Sequence, residues 1–274
     1  MIYLTRVKEF EASHRYFNRE LSEEENLRIF GKCYSPYGHG HNYRCEVTVN
    51  GRVDERSGMV INIKTLDEIL DKLIVELDHK FLNNDHAYFA HVVPTTENIA
   101  CYIFHRAKEE LEPTGAVAVD RVRLFEEESL FSDYRGGDVV ELTKVFSFSA
   151  AHRLHSQHLS DKENRAIFGK CNNPHGHGHN YQLEVTISGE IDQRTGMIAD
   201  LGQLEQVVDT HVIQKFDHRH LNMEVPPFDR LNPTSENVVK VIWGLLAPHI
   251  TFARLERVVL RETPRSFFEY RGER

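Results

Sequence analysis

The sequence predicts an α+β fold built from two tandem copies of one ββααββ unit, each with an antiparallel sheet and two helices on one face. Three observations carry this. Residues 30–43 read Phe-Gly-Lys-Cys-Tyr-Ser-Pro-Tyr-Gly-His-Gly-His-Asn-Tyr, and residues 168–181 read Phe-Gly-Lys-Cys-Asn-Asn-Pro-His-Gly-His-Gly-His-Asn-Tyr. A long-period repeat of this kind defines the folding unit. Tyr43, Cys45, Val47 and Val49 alternate with polar residues, as do Tyr181, Leu183, Val185 and Ile187, which is the period of a half-buried antiparallel strand. Leu66, Ile69, Leu70, Leu73, Ile74 and Leu77 instead recur at helical spacing.

The elements follow in the same order in each half. Residues 2–13 and 140–151 open the repeats as strands. The alternating strands around 43–49 and 181–187 come next and end near turns at Gly51 and Gly189. The Leu/Ile stripe then gives the first helix. A second helix begins after Pro94 or Pro233, at Thr95-Thr96-Glu97 or Thr234-Ser235-Glu236, where hydroxyl residues suit an N-cap. Val238, Val241, Ile242, Leu245 and Leu246 form its buried face in the second half. Strands near 116–126 with 129–135, and near 253–262 with 266–271, close the repeats. Only Arg135-Gly136-Gly137-Asp138 separates the halves, so the domains are read as 1–137 and 138–274. Two units of roughly 135 residues are each large enough for a core. The sheet edges and the helix-free face remain to be paired or covered, which points to assembly.

The chain has 274 residues and a net charge of −9, which argues against nucleic acid as a partner. The acidity is uneven. Residues 1–140 hold 17 basic and 25 acidic side chains, and residues 141–274 hold 16 and 17. An anionic substrate meets less long-range repulsion at the second half. Four cysteines make no disulfide framework at this length. Cys33 and Cys171 share a repeat position, whereas Cys45 and Cys101 have no counterpart and read as packing or surface thiols. With no leader-like start and no apolar run long enough to span a bilayer, the expected setting is cytoplasmic, with no membrane partner.

His39-Gly-His41 and His177-Gly-His179 each place two imidazoles at i and i+2, on one face at the start of a strand. The glycine between them is expected to let a metal or ligand approach the backbone. A third histidine lies upstream, His14 or His152, and all three pairs are offset by 138 residues. Three imidazoles with an open fourth position form a catalytic zinc site. His175 has Tyr37 as its counterpart and is left out of the set. Cys33 and Cys171 stand six residues before each pair, and a thiol beside a cation can serve as base or nucleophile. Asp78-His79 and Asp217-His218 supply a carboxylate beside an imidazole, suited to general acid–base work. Glu97 and Glu236 begin the second helix, where a carboxylate also suits the helix dipole. Glu126 and Glu262 lie in the penultimate strand. Buried there, each could accept two N–H donors from an amino-pyrimidinone ring, although Glu127 and Glu128 compete with Glu126.

These residues resemble the 6-pyruvoyltetrahydropterin synthase family. The match runs through Ser149-Ala-Ala-His152-Arg-Leu, Phe168-Gly-Lys-Cys171-Asn-Asn-Pro, His177-Gly-His179-Asn-Tyr, Asp217-His218, Pro233-Thr-Ser-Glu236 and Glu262-Thr. It covers nearly all of 140–274 and, less closely, 1–136. The resemblance implies tunnelling-fold units, three of which ring into an antiparallel barrel, with two rings stacked. Three tandem chains would then supply six units, a homo-oligomeric pseudo-hexamer. It implies one zinc per domain, on His14, His39 and His41 and on His152, His177 and His179. Cys171 would act as base with Asp217 and His218 as relay, and Cys33, Asp78 and His79 would match them. Glu262 and Glu126 would anchor the pterin ring, with Thr96, Glu97, Ser235 and Glu236 also on the substrate. In the family, active sites lie between neighbouring units, so a Cys can meet an Asp-His pair from another domain.

The implied reaction converts 7,8-dihydroneopterin triphosphate to 6-pyruvoyltetrahydropterin with loss of triphosphate. The related 6-carboxytetrahydropterin synthases, on a route to deazapurine nucleosides such as queuosine, are the alternative, and the six-residue step from Cys171 to His177 favours the pyruvoyl type. A third reading makes one half, the acidic N-terminal one, a non-catalytic pterin-binding module. It departs from the family pattern at Tyr34-Ser35 and around 126–128, but its His, Cys, Asp-His and Glu97 positions are intact.

Overall fold

The structure is a computed structural model and describes residues 1–273. Two compact units emerge. The first comprises Met1–Thr143 together with Ser188–Ile198, and the second comprises Lys144–Ile187 and the chain from Ala199 onward. The spatial units therefore interleave across the repeat boundary. An eleven-residue segment of the second repeat lies with the first.

In the first unit, β1 (Ile2–His14) pairs antiparallel with β2 (His39–Gly51), from Ile2 opposite Gly51 to His14 opposite His39. β2 pairs with β4 (Ala118–Glu127), and β4 with β5 (Leu130–Tyr134), both antiparallel. A two-residue strand β3 (Lys80–Phe81) runs parallel to the end of β1. Helix α2 (Ile63–Val75) packs on β1, and α4 (Thr96–Leu111) packs on β4, β5 and α2. α2 starts at Asn62, whose side chain accepts from Lys64 N–H, and it buries Leu66, Leu70, Leu73 and Ile74. Each such burial is worth about 1.5–3 kcal/mol. The inward stripe of β2 is buried too, at Tyr43, Cys45, Val47 and Val49, and Tyr43 stacks on Phe10 of β1. Burial pushes the Cys45 and Cys101 thiols up to about 12, and all four cysteines are free, in keeping with packing roles for these two.

The second unit repeats the plan. Its sheet order is β10 (Ser266–Tyr270), β9 (Arg254–Thr263), β7 (His177–Glu190) and β6 (Val139–His152), with β8 (Arg219–His220) parallel to the end of β6. α6 (Leu201–Val208) runs through a π turn, Asp209–Ile213, into α7 (Gln214–Phe216). α9 (Ser235–Leu246) packs on β9 and β10. It is shorter than α4 by four residues (12 against 16), which is why the strands after it are offset by less than those before.

Several small elements lie outside the ββααββ expectation. α1 (Glu23–Phe30) and α5 (Asp161–Phe168) are held by complete capping boxes, Ser22 with Glu25 and Ser160 with Glu163. Each runs into a 3-10 turn, Gly31–Tyr34 or Gly169–Asn172, which carries the cysteine. α3 (Leu82–Asp85) and α8 (Leu221–Glu224) follow β3 and β8.

Candidate metal centres and active sites

Each site is the end of the core stripes. His39 and His41 continue the inward face of Tyr43, Cys45 and Val47, because alternate residues of a strand share a face. On β1, His14 follows Phe10 and Ala12, and on β4, Glu126 follows Val122 and Leu124. The apolar stripes give way to histidine and carboxylate at one end of the sheet, where α4 begins with Thr96 and Glu97. Phe148, Ala150 and His152 repeat this on β6, with His177, His179 and Tyr181 on β7, Glu262 on β9, and Ser235 at the start of α9.

The imidazoles converge. The ligand atoms of His14, His39 and His41 lie within 4.8 Å of one another, as do those of His152, His177 and His179. His14 Nδ1–H donates to Pro94 O at 2.8 Å, which leaves Nε2 as the lone pair facing His39 Nε2 at 3.3 Å. His152 donates likewise to Pro233 O at 2.9 Å and faces His177 Nε2 at 3.2 Å. Such an outer hydrogen bond fixes the tautomer of a ligating histidine. Burial pulls His14 and His152 down to about 4, so both are neutral at neutral pH. His39 and His177 are lowered in the same way. His41 Nε2 and His179 Nε2 are buried with no hydrogen-bond partner. Buried nitrogens without partners are costly, and a divalent cation would satisfy them. The donor set therefore fits a metal ion.

Glu126 lies beneath the first cluster. Its Oε2 accepts from Thr96 Oγ1 at 2.6 Å, and its Oε1 stands 3.6 Å from His41 Nε2. Glu127 and Glu128 are exposed, so Glu126 alone of the three turns inward. Glu262 Oε1 accepts from Ser235 Oγ at 3.0 Å and lies 3.6 Å from His152 Nε2 and 3.7 Å from His179 Nε2. Glu97 is 3 % exposed and accepts from Ile198 N–H at 3.2 Å. Burial raises its carboxyl to about 7. Glu236, its counterpart, is exposed.

Cys33 lies close enough to Tyr16 and Tyr43 to raise the pKa of both phenols further beyond the effect of burial. Cys171 occupies the matching 3-10 turn and accepts Leu154 N–H at its carbonyl, as Cys33 accepts Tyr16 N–H. The Asp-His pairs lie elsewhere. Asp78 accepts from Glu11 N–H at 3.0 Å and pairs with His79 Nδ1 at 2.9 Å, while His79 N–H donates to Glu11 O. Glu11, Ser13, Gly40 and Asn42 occupy the face of the β1–β2 ribbon opposite the histidine triad. His79 and this face line a groove of about 340 Å³. Asp217 and His218 stand in the same way against Ser149 of β6, beside a groove of about 450 Å³. Within one repeat, then, triad and dyad sit on opposite sides of a two-stranded ribbon.

Several features extend the sequence reading. The glycine of each His-Gly-His admits a neighbouring strand: a Cβ on Gly40 would meet Ala12 O at 3.2 Å, and one on Gly178 would meet Ala150 O at 3.3 Å. His79 and His218 adopt positive φ, 54° and 57°, which is uncommon outside glycine and clusters at functional sites. The sequence reading missed Tyr43 and Tyr181, whose hydroxyls approach His14 Nδ1 and His152 Nδ1 at 3.2 and 3.5 Å. Their recurrence four residues after His39 and His177 was the available signal. It also missed the Pro94 and Pro233 carbonyls, which only the fold brings to the histidines.

The sequence pattern of the family described as 6-pyruvoyl tetrahydropterin synthase matches this chain twice, over residues 3–137 and 141–273. Human 6-pyruvoyl tetrahydrobiopterin synthase is 44% identical over 133 residues, covering 48% of this chain and 92% of that protein. A protein of Archaeoglobus fulgidus provisionally named as a 6-carboxy-5,6,7,8-tetrahydropterin synthase is 34% identical over 97 residues, 35% of this chain and 75% of its own. The solved structure of Caenorhabditis elegans 6-pyruvoyl tetrahydropterin synthase aligns at 43% identity with a TM-score of 0.48, covering 49% of this chain and 96% of that one. The chain therefore belongs to the 6-pyruvoyl tetrahydropterin synthase family of lyases, as a tandem duplication with two tunnelling-fold units.

Proposed function

We infer that this protein converts 7,8-dihydroneopterin triphosphate to 6-pyruvoyltetrahydropterin with release of triphosphate, at one site in each of the domains 1–137 and 138–274. The observation that carries this reading is the pair of carboxylates, buried Glu126 and half-buried Glu262, each held by a hydroxyl and set beside three converging imidazoles. An anion beside a Lewis-acid site suits a substrate with ring N–H donors next to a hydroxylated side chain. His14, His39 and His41, and His152, His177 and His179, would each hold one zinc, which would polarise the side-chain oxygens and acidify the neighbouring C–H bonds.

The chain's own groups do the remaining work. Glu126 and Glu262 accept from the pterin ring and fix its depth, with Thr96 and Ser235 holding each carboxylate in place. Glu97 and Glu236 sit at the start of the same helices, within reach of the ring. Cys33 and Cys171 remove a side-chain proton. Asp78–His79 and Asp217–His218 return protons, with Asp orienting its His. Because dyad and triad occupy opposite faces of a ribbon, a relay dyad is supplied across a boundary between units. This favours a homo-oligomer, with three chains making a pseudo-hexamer. No helix among the described residues is long and apolar enough to cross a membrane.

The relatives at 43–44% identity carry the pyruvoyl name, and the 34% relative carries the carboxy name. The test is incubation of metal-loaded protein with 7,8-dihydroneopterin triphosphate and mass spectrometry of the pterin. A 6-pyruvoyl product is expected. A 6-carboxy product with acetaldehyde would move the reaction to the deazapurine route, and unchanged substrate would leave a pterin-binding module.

A further inference from the structure

The two Asp-His dyads share one backbone frame and differ in the side chain that stands beside the imidazole. In the first half, Glu11 N–H donates to Asp78 Oδ1 at 3.0 Å, and His79 N–H donates to Glu11 O at 2.6 Å. In the second half, Ser149 N–H donates to Asp217 Oδ1 at 2.7 Å, and His218 N–H donates to Ser149 O at 2.6 Å. Each imidazole turns Nδ1 to its own aspartate, at 2.9 Å in one half and 2.8 Å in the other. Glu11 and Ser149 thus hold their dyads by the same backbone bonds.

Their side chains act differently. Ser149 Oγ donates to Asn180 Oδ1 at 2.9 Å. Glu11, when ionised, has no proton to donate, and its Oε2 stands 3.8 Å from His79 Nδ1. The polar atoms of Glu11, Asp78 and His79 all lie within 4.8 Å of one another. His79 therefore has two carboxylates about it, whereas among the described residues Asp217 alone pairs with His218.

The other groups around the two rings match in kind. Asn42 and Asn180 line the two grooves and carry no charge. Lys80 of β3 and Arg219 of β8 follow the histidines directly, one cation in each half. His41 and His179 share the groove walls, but their rings belong to the triads. Glu9 and Arg44 are next along the first face, opposite one another, and Arg44 is paired with Glu46 and Glu128. A negative charge beside an imidazole favours the protonated ring. The hydrogen bond and charge of Asp78 raise the pKa of His79, and the charge of Glu11 adds to this. Glu11 and His79 are both exposed, so the addition is modest and weakens with salt.

We propose that Glu11 is a positioning residue of the N-terminal relay, stabilising the imidazolium of His79 so that this relay delivers its proton over a more alkaline range than the relay of His218. The inference rests on the relay role given to the dyads above. With Nδ1 held by aspartate, the Nε2 proton passes to the substrate, and the neutral ring is reprotonated from water. A proton donor works only while protonated, so two unlike relays give one chain a broader pH range than two copies of either.

The test reads the two rings separately in the full chain. Exchange of the imidazole Cε1 proton for deuterium, followed by mass spectrometry across a pH series, gives each histidine its own titration. His79 is expected to titrate at higher pH than His218. Glu11→Gln is expected to weaken proton binding at His79 about two- to fivefold and to leave His218 unchanged. Ser149→Glu is expected to strengthen it at His218 by a similar factor. Coincident titrations in the parent chain, or an unchanged His79 in Glu11→Gln, would overturn the proposal. Rates follow in His218→Ala, which keeps the His79 relay, and in His79→Ala, which keeps the other. The alkaline limb of the first is expected at higher pH, and adding Glu11→Gln is expected to bring it down; coincident limbs would overturn the proposal. The exchange readout uses no substrate, so failure of the pterin reaction and failure of this inference are told apart.

Discussion

His14 and His152 are buried and neutral, and each triad converges before any ligand arrives. Pro94 and Pro233 carbonyls take the Nδ1 protons, so Nε2 faces the centre of each cluster. With two such clusters, metal-loaded protein should hold two metal ions per chain by elemental analysis, and His39→Ala or His177→Ala should reduce this to about one. Two ions retained in either variant would contradict the ligand assignment. Glu97 is the other residue whose environment makes a clear statement. Its carboxyl is raised to about 7 from an ordinary 4.5, so the native state holds the proton more tightly than the unfolded chain. Stability then falls as pH rises from about 4.5 to about 7, because the unfolded state ionises first. Glu97→Gln cannot ionise. Thermal melts should show the parent chain losing more stability between pH 5 and pH 8 than the variant does. At this scale much was legible in the sequence, since the triads, Cys and Asp-His pairs recur in register. The choice of Glu126 over Glu127 and Glu128 was not, because a bulge in the pairing of β4 with β5 decides which carboxylate turns inward.

The elements that position the site are the ends of otherwise ordinary apolar strands. Alternation along β2 revealed the strand, and the same alternation carries His39 and His41 onto the core face. The long helices were equally plain from their stripes. α1 and α5 were not, because an eight-residue, acid-rich helix has too little apolar period, although Ser22 with Glu25 and Ser160 with Glu163 spell capping boxes. Gly38 and Gly176 show how tightly the strand starts are held. At φ of +74°, a Cβ on Gly38 would sit 2.7 Å from the Phe81 ring and 2.8 Å from His14 O. Gly38→Ala should therefore cost more than about 1 kcal/mol in urea unfolding and weaken metal binding by displacing His39. A variant as stable as the parent, with full metal content, would show that this backbone approach is not needed. Ser22→Ala, which removes a cap far from the metal, should cost about 1 kcal/mol without changing metal content.

For the whole molecule, duplication in sequence has not produced equivalence in space. Residues 188–198 lie with the first unit and donate Ile198 N–H to the buried Glu97, while Glu236 stays exposed. A repeat reveals that two units exist, but not which neighbour each turn will cover, since that depends on how chain connectivity places the second copy. The acidic first half keeps every grouped residue of the second: triad, cysteine, dyad and hydroxyl-held carboxylate. The central claim is that both halves catalyse. Its most direct test is the rate per chain, at saturating 7,8-dihydroneopterin triphosphate, of Cys33→Ala, Cys171→Ala and the double variant. Two working sites should leave about half the parent rate in each single variant and almost none in the double, because loss of a catalytic base costs a factor of about 10²–10⁴ at its own site. A full rate in Cys33→Ala, with activity lost in Cys171→Ala alone, would contradict the claim and make the N-terminal half a structural pterin-binding module.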